Sequence, residues 1–134
     1  MHENILIVDD EPHLATLLAD VLTNAGYDAH TIDNGRDALE VVQRDPPDLM
    51  LLDVQMPQLD GFEVAARLKA DPATAAIPII MLSAMRGRGA RVIGLESGAE
   101  EFLSKPFDQA ELLARVRNLL ALRDHAMDAG RREH

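Results

Sequence analysis

Short apolar runs alternate along the chain with longer segments in which apolar residues recur every three or four positions. Continuous runs at residues 5–8, 49–52 and 79–82 are typical of strands that are buried on both faces of a sheet. Weaker strands are predicted at residues 28–32 and 101–103. Each predicted strand is followed by a helical pattern, and this alternation predicts right-handed crossovers and a parallel sheet.

Four of the five predicted helices have a clear apolar face. The apolar residues on those faces are, in chain order, Leu14, Leu17, Leu18, Val21 and Leu22; Ala38, Leu39 and Val42; Phe62, Ala65, Ala66 and Leu68; and Leu112, Leu113, Val116, Leu119 and Leu120. The remaining helix, the fourth, is predicted within residues 86–97. It is weakly encoded because Gly87, Gly89 and Gly94 each lower helix propensity.

These elements predict one α/β domain, a doubly wound parallel sheet of five strands with five helices on its two faces. A length of 134 residues fits a single domain. Asp108 and Glu111 form a capping-box pattern that opens the last helix. The polar segment 124–134 is expected to be a fraying end or a linker stub, so we expect the domain to cover residues 1–123.

Acidic composition and the lack of cysteine exclude several classes of function. The 13 Lys and Arg against 23 Asp and Glu give a formal net charge of −10, which argues against nucleic-acid binding by this domain. Zero cysteines exclude a disulfide framework, a thiolate zinc site and a cysteine nucleophile. No apolar run approaches the roughly 18 residues of a membrane helix, and no signal peptide opens the sequence. We therefore expect a cytoplasmic protein without membrane association.

Polar residues collect at the predicted carboxyl ends of the strands, where open parallel sheets bind their ligands. Asp9 and Asp10 follow the first strand, Asp53 the third, Ser83 the fourth and Lys105 the fifth. Carboxylates together with phosphate oxygens suit Mg²⁺, and a lysine ammonium suits a phosphoryl oxygen. In such surroundings an aspartate can act as a nucleophile and form an acyl phosphate.

Each of these residues also has a plain structural interpretation when it is taken alone. Asp10 could cap the helix after Pro12, and Asp53 could open a turn. Ser83 could be a plain loop residue and Lys105 a solvated side chain. The coincidence of four chain segments at one sheet edge favours the functional interpretation. The histidines have no metal-ligand spacing and are predicted to lie on the surface; they are His2, His13, His30, His125 and His134.

Four segments resemble the response-regulator receiver domain of two-component signalling, and they occur in the order typical of that family. The segments are residues 8–12 (VDDEP), 48–57 (DLMLLDVQMP), 60–61 (DG) and 102–107 (FLSKPF). The resemblance covers about residues 4–123. It implies a flavodoxin-like sheet with strand order 2-1-3-4-5, and a signalling switch that phosphorylation activates.

The resemblance also implies the roles of individual residues. Asp53 would accept a phosphoryl group from a histidine kinase or a phosphotransfer protein, in a reaction that depends on Mg²⁺ or Mn²⁺. The implied metal ligands are Asp10, Asp53, the backbone carbonyl of Gln55 and, through water, Asp9. Lys105 would pair with the phosphoryl group, and its peptide bond to Pro106 is typically cis in the family.

A conformational switch is the further implication of the resemblance. The Ser83 hydroxyl would move to the phosphoryl group and the Phe102 ring would turn inward behind it, although Phe102 as a plain core residue is the structural alternative. The face of helix 4, strand 5 and helix 5 would then change for an output domain, an effector protein or a second copy, so the chain is expected as a monomer or a phosphorylation-promoted homodimer. It would catalyse only its own phosphorylation and dephosphorylation, and is not expected to be a turnover enzyme.

The sequence departs from the family pattern at several positions. Gln55 and Met85 occupy positions that tune the access of hydrolytic water, and neither is acidic, which predicts intermediate-to-slow loss of phosphate. Phe102 has no hydroxyl for a partner to contact. A glycine-rich segment carries three arginines that form either a solvated loop or a guide for an acidic partner or phosphodonor; they are Arg86, Arg88 and Arg91.

Three other functions fit parts of the pattern. A haloacid-dehalogenase-type phosphatase also uses an aspartyl nucleophile, but it needs a second acid where this chain has Gln55. A flavin-binding module of flavodoxin type would place a phosphate beside Asp9, Asp10 and Glu11, whose charges repel it. A receiver-like interaction domain that is never phosphorylated is disfavoured by the complete set of site residues.

Overall fold

Five parallel strands form one sheet in the order β2-β1-β3-β4-β5. The structure is a computed structural model and describes residues 2–84 and 88–132. The strands are β1 (Asn4–Val8), β2 (Asp28–Ile32), β3 (Leu49–Asp53), β4 (Ile79–Ser83) and β5 (Glu101–Ser104). The helices are α1 (Pro12–Asn24), α2 (Gly35–Arg44), α3 (Gly61–Ala70), α4 (Arg88–Glu96) and α5 (Gln109–Arg132). The predicted fold class and strand order are confirmed.

Strand register aligns the carboxyl ends of the strands along one edge of the sheet. Leu52 of β3 pairs with Val8 of β1 on one side and with Met81 of β4 on the other. Met81 in turn pairs with Phe102 of β5. Asp9 and Asp53, which follow Val8 and Leu52, therefore emerge side by side. On β4 and β5 the polar residues begin one position later, with the paired residues Ser83 and Ser104.

The central strand β3 divides the core into two apolar layers because alternate side chains of a strand point to opposite faces. Met50 and Leu52 pack with α2 and α3 on one face, and the ring of Phe102 belongs to that layer. Leu49 and Leu51 pack with α1 and α5 on the other face. All five residues of β3 are buried, which explains the continuous apolar run in the sequence.

Side-chain caps begin three of the helices, although one cap differs from its prediction. Asn34 accepts a hydrogen bond from Asp37 N and Asp60 accepts one from Glu63 N. At α5, Asp108 Oδ1 accepts from the backbone of Ala110, 3.0 Å away. The predicted capping box is therefore wrong in detail, since Glu111 instead lies 3.6 Å from the Arg115 guanidinium, one turn further along the helix.

The last helix is longer than the sequence pattern predicted. We expected residues 124–134 to fray or to form a linker, but α5 continues as far as Arg132. Arg123 Nη1 lies 2.6 Å from Asp48 Oδ1, and Asp48 Oδ2 accepts a hydrogen bond from Asn4 N. This contact holds the middle of α5 against the amino-terminal ends of β1 and β3. His134 lies outside the described residues.

The fourth helix is present at Arg88–Glu96, within the predicted range. The part of the prediction that concerns Met85, Arg86 and Gly87 lies outside the described residues. None of the helices in the described part of the chain combines the length and apolar character needed to cross a bilayer.

Truncating one buried side chain of β3 tests the packing of the apolar layer that β3 forms with α1 and α5. Leu51 is fully buried, so we expect Leu51→Ala to lower the free energy of unfolding by about 2–5 kcal/mol. Leu122 is 66% exposed, and Leu122→Ala should change that free energy by less than about 0.5 kcal/mol. Urea denaturation followed by circular dichroism measures both variants, and equal losses would contradict this account of the core.

Candidate functional site

Three carboxylates meet at the carboxyl edge of the sheet. Asp9 and Asp10 follow β1, and Asp53 ends β3. One ligand oxygen from each lies within 4.8 Å of the others. Asp9 and Asp53 are buried, whereas Asp10 is exposed. Lys105 brings a single ammonium to this cluster, with its Nζ 3.0 Å from Asp53 Oδ1 and 3.5 Å from Asp9 Oδ2.

Burial and charge repulsion act together on Asp53. Removal from water raises the pKa of the Asp53 carboxyl, and the nearby negative charges of Asp9 and Asp10 raise it further. The hydrogen bond and positive charge of Lys105 oppose this rise without cancelling it. The site therefore holds more negative charge than its own residues neutralise.

Asp9 has one satisfied oxygen and one that lacks a hydrogen bond. Its Oδ1 accepts from Glu11 N at 2.9 Å, which fixes the orientation of the carboxylate. Its Oδ2 is buried and has no hydrogen-bond partner among the described residues, with only the Lys105 ammonium at ion-pair distance. A buried carboxylate oxygen without a donor is costly, and a cation beside it would offset that cost. The cluster can therefore hold a metal ion.

The hydroxyl and aromatic residues of the predicted switch lie next to this cluster in the sheet. Ser83 is completely buried at the end of β4 and pairs in register with Ser104. The Ser83 carbonyl accepts a hydrogen bond from Lys105 N at 2.7 Å, so the β4 end is bonded to the residue that carries the ammonium. Phe102 is 3% exposed and lies in the core layer with Met81.

Two features of the backbone complete the site. The peptide bond between Lys105 and Pro106 is cis, as the resemblance implied. Gly61, the first residue of α3, leaves no room for a side chain, because a Cβ there would collide with the Asp53 carbonyl oxygen. Sequence reasoning singled out Gly61 only as part of a motif, since this close approach is visible only in three dimensions.

The remaining predicted positions contribute less to the geometry. Gln55 is exposed in the loop after β3, and the role of its backbone carbonyl stays a prediction. Arg91 donates to the Phe102 carbonyl at 3.3 Å, whereas the loop position Met85 lies outside the described residues. The described histidines are all exposed, as predicted; they are His2, His13, His30 and His125.

Comparison with known proteins identifies the family. A family model described as the response regulator receiver domain matches residues 5–117. The chain belongs to this family. Receiver domains take part in phosphorylation-dependent signalling in two-component systems and bind Mg²⁺ in an acidic pocket. In this receiver domain, Asp9, Asp10 and Asp53 form an acidic cluster that could hold such an ion.

Two relatives illustrate the match. The response regulator PleD of Caulobacter vibrioides is 49% identical over 119 residues, which cover 89% of this chain and 26% of PleD. The DNA-binding response regulator MtrA of Mycolicibacterium smegmatis is 44% identical over 117 residues, covering 87% of this chain and 50% of MtrA. This receiver domain thus spans about a quarter of the length of PleD and about half of the length of MtrA.

A solved structure shows the same architecture. It is the receiver domain of the sensor histidine kinase PA1611 from Pseudomonas aeruginosa, with a magnesium ion coordinated in its active-site cleft. The two superpose with a TM-score of 0.83 at 30% identity, over 90% of this chain and 99% of that one.

The raised pKa of Asp53 predicts how stability depends on pH. Because its pKa is higher in the folded than in the unfolded chain, the ionised side chain lowers stability at any pH above the folded value. We expect Asp53→Asn to raise the midpoint of thermal unfolding at pH 7.5 in metal-free buffer. The gain should shrink as the pH falls through the folded pKa towards about 4, the ordinary value for aspartate.

Asp71→Asn is the control, and we expect it to lower the midpoint of thermal unfolding at pH 7.5, opposite to Asp53→Asn. Hydrogen bonds from Gln43 and from the Ala73 amide lower the pKa of Asp71, so its charge contributes stability that is present at neutral pH and lost as the pH falls through the folded pKa. Differential scanning calorimetry between pH 3.5 and 7.5, as a practical range, compares the two variants. A lower midpoint for Asp53→Asn than for the wild type at pH 7.5 would contradict the repulsion described above.

Proposed function

We propose that this receiver domain is a switch in which Asp53 accepts a phosphoryl group from the phosphohistidine of a histidine kinase or a phosphotransfer protein. The observation that carries the proposal is the buried Asp53 carboxylate, which is bonded to Lys105 inside a cluster of three carboxylates. The output domain or effector protein that responds belongs to the same proposal.

Phosphoryl transfer needs a nucleophile and a means of neutralising charge. A carboxylate oxygen of Asp53 attacks phosphorus while the phosphorus–nitrogen bond to the donor imidazole breaks, and that nitrogen keeps the electron pair and takes up a proton. Burial and repulsion, which raise the pKa of Asp53, also make the ionised carboxylate a better nucleophile. Lys105, which is bonded to Asp53 before transfer, would then pair with a phosphoryl oxygen.

Mg²⁺ or Mn²⁺ is the proposed cofactor, because the donor set consists of oxygens and one of them is a buried carboxylate oxygen without a hydrogen bond. The residues that would hold the ion are Asp10, Asp53, the backbone carbonyl of Gln55 and, through water, Asp9. When bound, the ion would supply positive charge that offsets the negative charge on the phosphoryl oxygens during transfer.

Signal output is proposed to follow from the new charge at Asp53. A phosphoryl group adds about −1.5 to −2 charge and three acceptor oxygens. The Ser83 hydroxyl would turn to one of these oxygens, and the space that it leaves would favour the inward ring of Phe102. Because Phe102 lies under α4, this population shift would alter the face formed by α4, β5 and α5.

The proposed reaction modifies the chain itself and does not turn over an external substrate. A phosphatase that used Asp53 as nucleophile would need an acid at residue 55, and this chain has Gln55, which is exposed. Loss of the phosphoryl group is proposed to be intermediate to slow for the same reason. A flavin phosphate would meet the carboxylates of Asp9 and Asp10 at the end of β1, which would repel it.

Intact mass after incubation with acetyl phosphate tests the acceptor. We expect wild-type protein to gain one phosphoryl group with Mg²⁺ and none with a chelator, because the ion offsets repulsion between the carboxylates and the donor. Asp53→Asn should gain none, and Lys105→Ala should be labelled about a hundredfold more slowly. Asp60→Asn, which keeps a side chain able to cap α3, is the control and should be labelled like the wild type.

Two results would contradict the proposal. Labelling of Asp53→Asn at the wild-type rate would assign the phosphoryl group to another residue. Neither labelling nor Mg²⁺ binding by folded wild-type protein would favour a receiver-like interaction domain that is never phosphorylated.

An apolar groove beside Lys105 is the proposed contact for the protein donor. It has a volume of about 460 Å³ and lies between α1 and the segment that joins β5 to α5. Leu14, Leu17 and Leu18 line one wall, and Pro106 and Phe107 lie on the other. Leu17 is 50% exposed, so a donor helix resting there would bury apolar surface within reach of the site.

Leu17→Lys tests the docking groove. We expect it to slow transfer from a purified histidine kinase that labels the wild type, because a charge replaces buried apolar contact at the complex. Labelling by acetyl phosphate should be unchanged, since a small donor needs no docking surface. Leu122→Lys, at an apolar residue exposed elsewhere on the domain, is the control. Equal rates of kinase transfer for the two variants would place the donor contact outside this groove.

A further inference from the structure

Gly94, in α4, lies directly against the ring of Phe102. A Cβ built on Gly94 would be 2.5 Å from Cδ2 and 3.0 Å from Cε2 of that ring, and 3.5 Å from Met81 Sδ. Non-bonded carbons in contact are about 3.5–4.0 Å apart, so a methyl group at residue 94 and the ring cannot both keep these positions. The buried position of the ring therefore depends on the lack of a side chain at residue 94.

Contacts along α4 limit how far the helix could move away from the ring. Arg91 donates from α4 to the Phe102 carbonyl at 3.3 Å. Beyond the end of α4, Gly98 has a φ of 108°, and a Cβ there would be 2.5 Å from Lys69 Cγ. Lys69 is itself held by Glu100, 2.6 Å away. Arg91 thus bonds α4 to β5 before Gly94, and the backbone just after the helix packs closely against Lys69.

A second glycine in the same helix provides the comparison. Among the residues that the structure describes, none has an atom within 4 Å of a Cβ built on Gly89. Both glycines reduce the helix propensity of α4 by a similar amount relative to alanine. Only at Gly94 does the missing side chain make room for another residue, and that residue is the aromatic ring of the proposed switch.

We infer that Gly94 sets the equilibrium of the switch by allowing Phe102 to occupy its inward position. This inference rests on the proposed function, in which the inward ring accompanies the bond between Ser83 and the phosphoryl group. With alanine at residue 94, either the ring moves to another staggered χ1 rotamer or α4 leaves the strand. Both responses make the inward conformer rarer, and linkage weakens phosphoryl binding by the same factor.

The test compares Gly94→Ala with Gly89→Ala in protein labelled with fluorophenylalanine. The chain has three phenylalanines, so three aromatic ¹⁹F resonances are expected, and Phe102→Leu assigns the one from residue 102. Beryllofluoride with Mg²⁺ is the probe for the phosphorylated state. We expect Gly94→Ala to shift the Phe102 resonance towards that of a solvated ring, and to weaken beryllofluoride binding by about five- to a hundredfold, a usual range of coupling.

Gly89→Ala should leave both readouts as in the wild type, because it makes the same change in helix propensity without touching the ring. In a Phe102→Leu background, Gly94→Ala should no longer weaken beryllofluoride binding. If residue 94 had only a structural effect, Gly94→Ala would lower the midpoint of unfolding and would weaken beryllofluoride binding equally with and without Phe102. That result would overturn the inference.

The outcomes separate this inference from the proposed function. If the Phe102 resonance and beryllofluoride affinity of Gly94→Ala match those of Gly89→Ala, the inference about Gly94 is wrong, whatever Asp53 does. If wild-type protein binds no beryllofluoride and accepts no phosphoryl group, the proposed function is wrong, and the role of Gly94 in a phosphorylation switch falls with it.

Discussion

The carboxylates of Asp9, Asp10 and Asp53 lie within reach of one cation because the sheet pairs β1 with β3 and brings their carboxyl ends together. Asp53 ends a strand that is hydrogen-bonded in register to β1 and β4, and Asp9 follows β1 directly. In a flexible chain the three charges would move apart. Here the sheet holds them together, and burial of Asp9 and Asp53 removes much of the water that would screen them.

Several properties of the site follow from this enforced proximity. The pKa of Asp53 is raised, and one oxygen of Asp9 remains buried without a hydrogen-bond donor. Lys105 supplies one positive charge against three negative charges, so a bound cation would relieve repulsion that this lysine leaves uncompensated. Lys105 N is also bonded to the Ser83 carbonyl, which couples the position of the ammonium to the end of β4.

The pairing of β4 with β5 connects the charged site with the surface of α4. Met81 and Phe102 are paired neighbours two positions before the polar pair Ser83 and Ser104, and α4 rests on the Phe102 ring through Gly94. The outer side of α4 exposes apolar side chains, those of Val92, Ile93 and Leu95. A change in how α4 sits on Phe102 would therefore rearrange apolar surface, which is a form of signal that another protein can detect.

Local sequence patterns predicted all five strands, the helices and the polar edge, because periodicity and residue type act over neighbouring positions. They did not predict that α5 continues to Arg132, or that Arg123 in the middle of this helix pairs with Asp48, which lies 75 residues earlier in the chain. They also misassigned Glu111, whose carboxylate lies beside Arg115. Each of these outcomes depends on which charged partner is nearest in space, and sequence distance says little about that.

The sequence by itself determined the alternation of elements, the apolar core and the chemical types at the strand ends, since each is a property of short segments. Only the tertiary structure decided the distances among the carboxylates, the burial of an Asp9 oxygen that receives no hydrogen bond from the described residues, and the role of Gly94 in packing. In the sequence, Gly89 and Gly94 are equivalent helix-weakening residues. Packing distinguishes them, because a Cβ at Gly94 would overlap an aromatic ring whereas one at Gly89 would meet no atom of the described part of the chain.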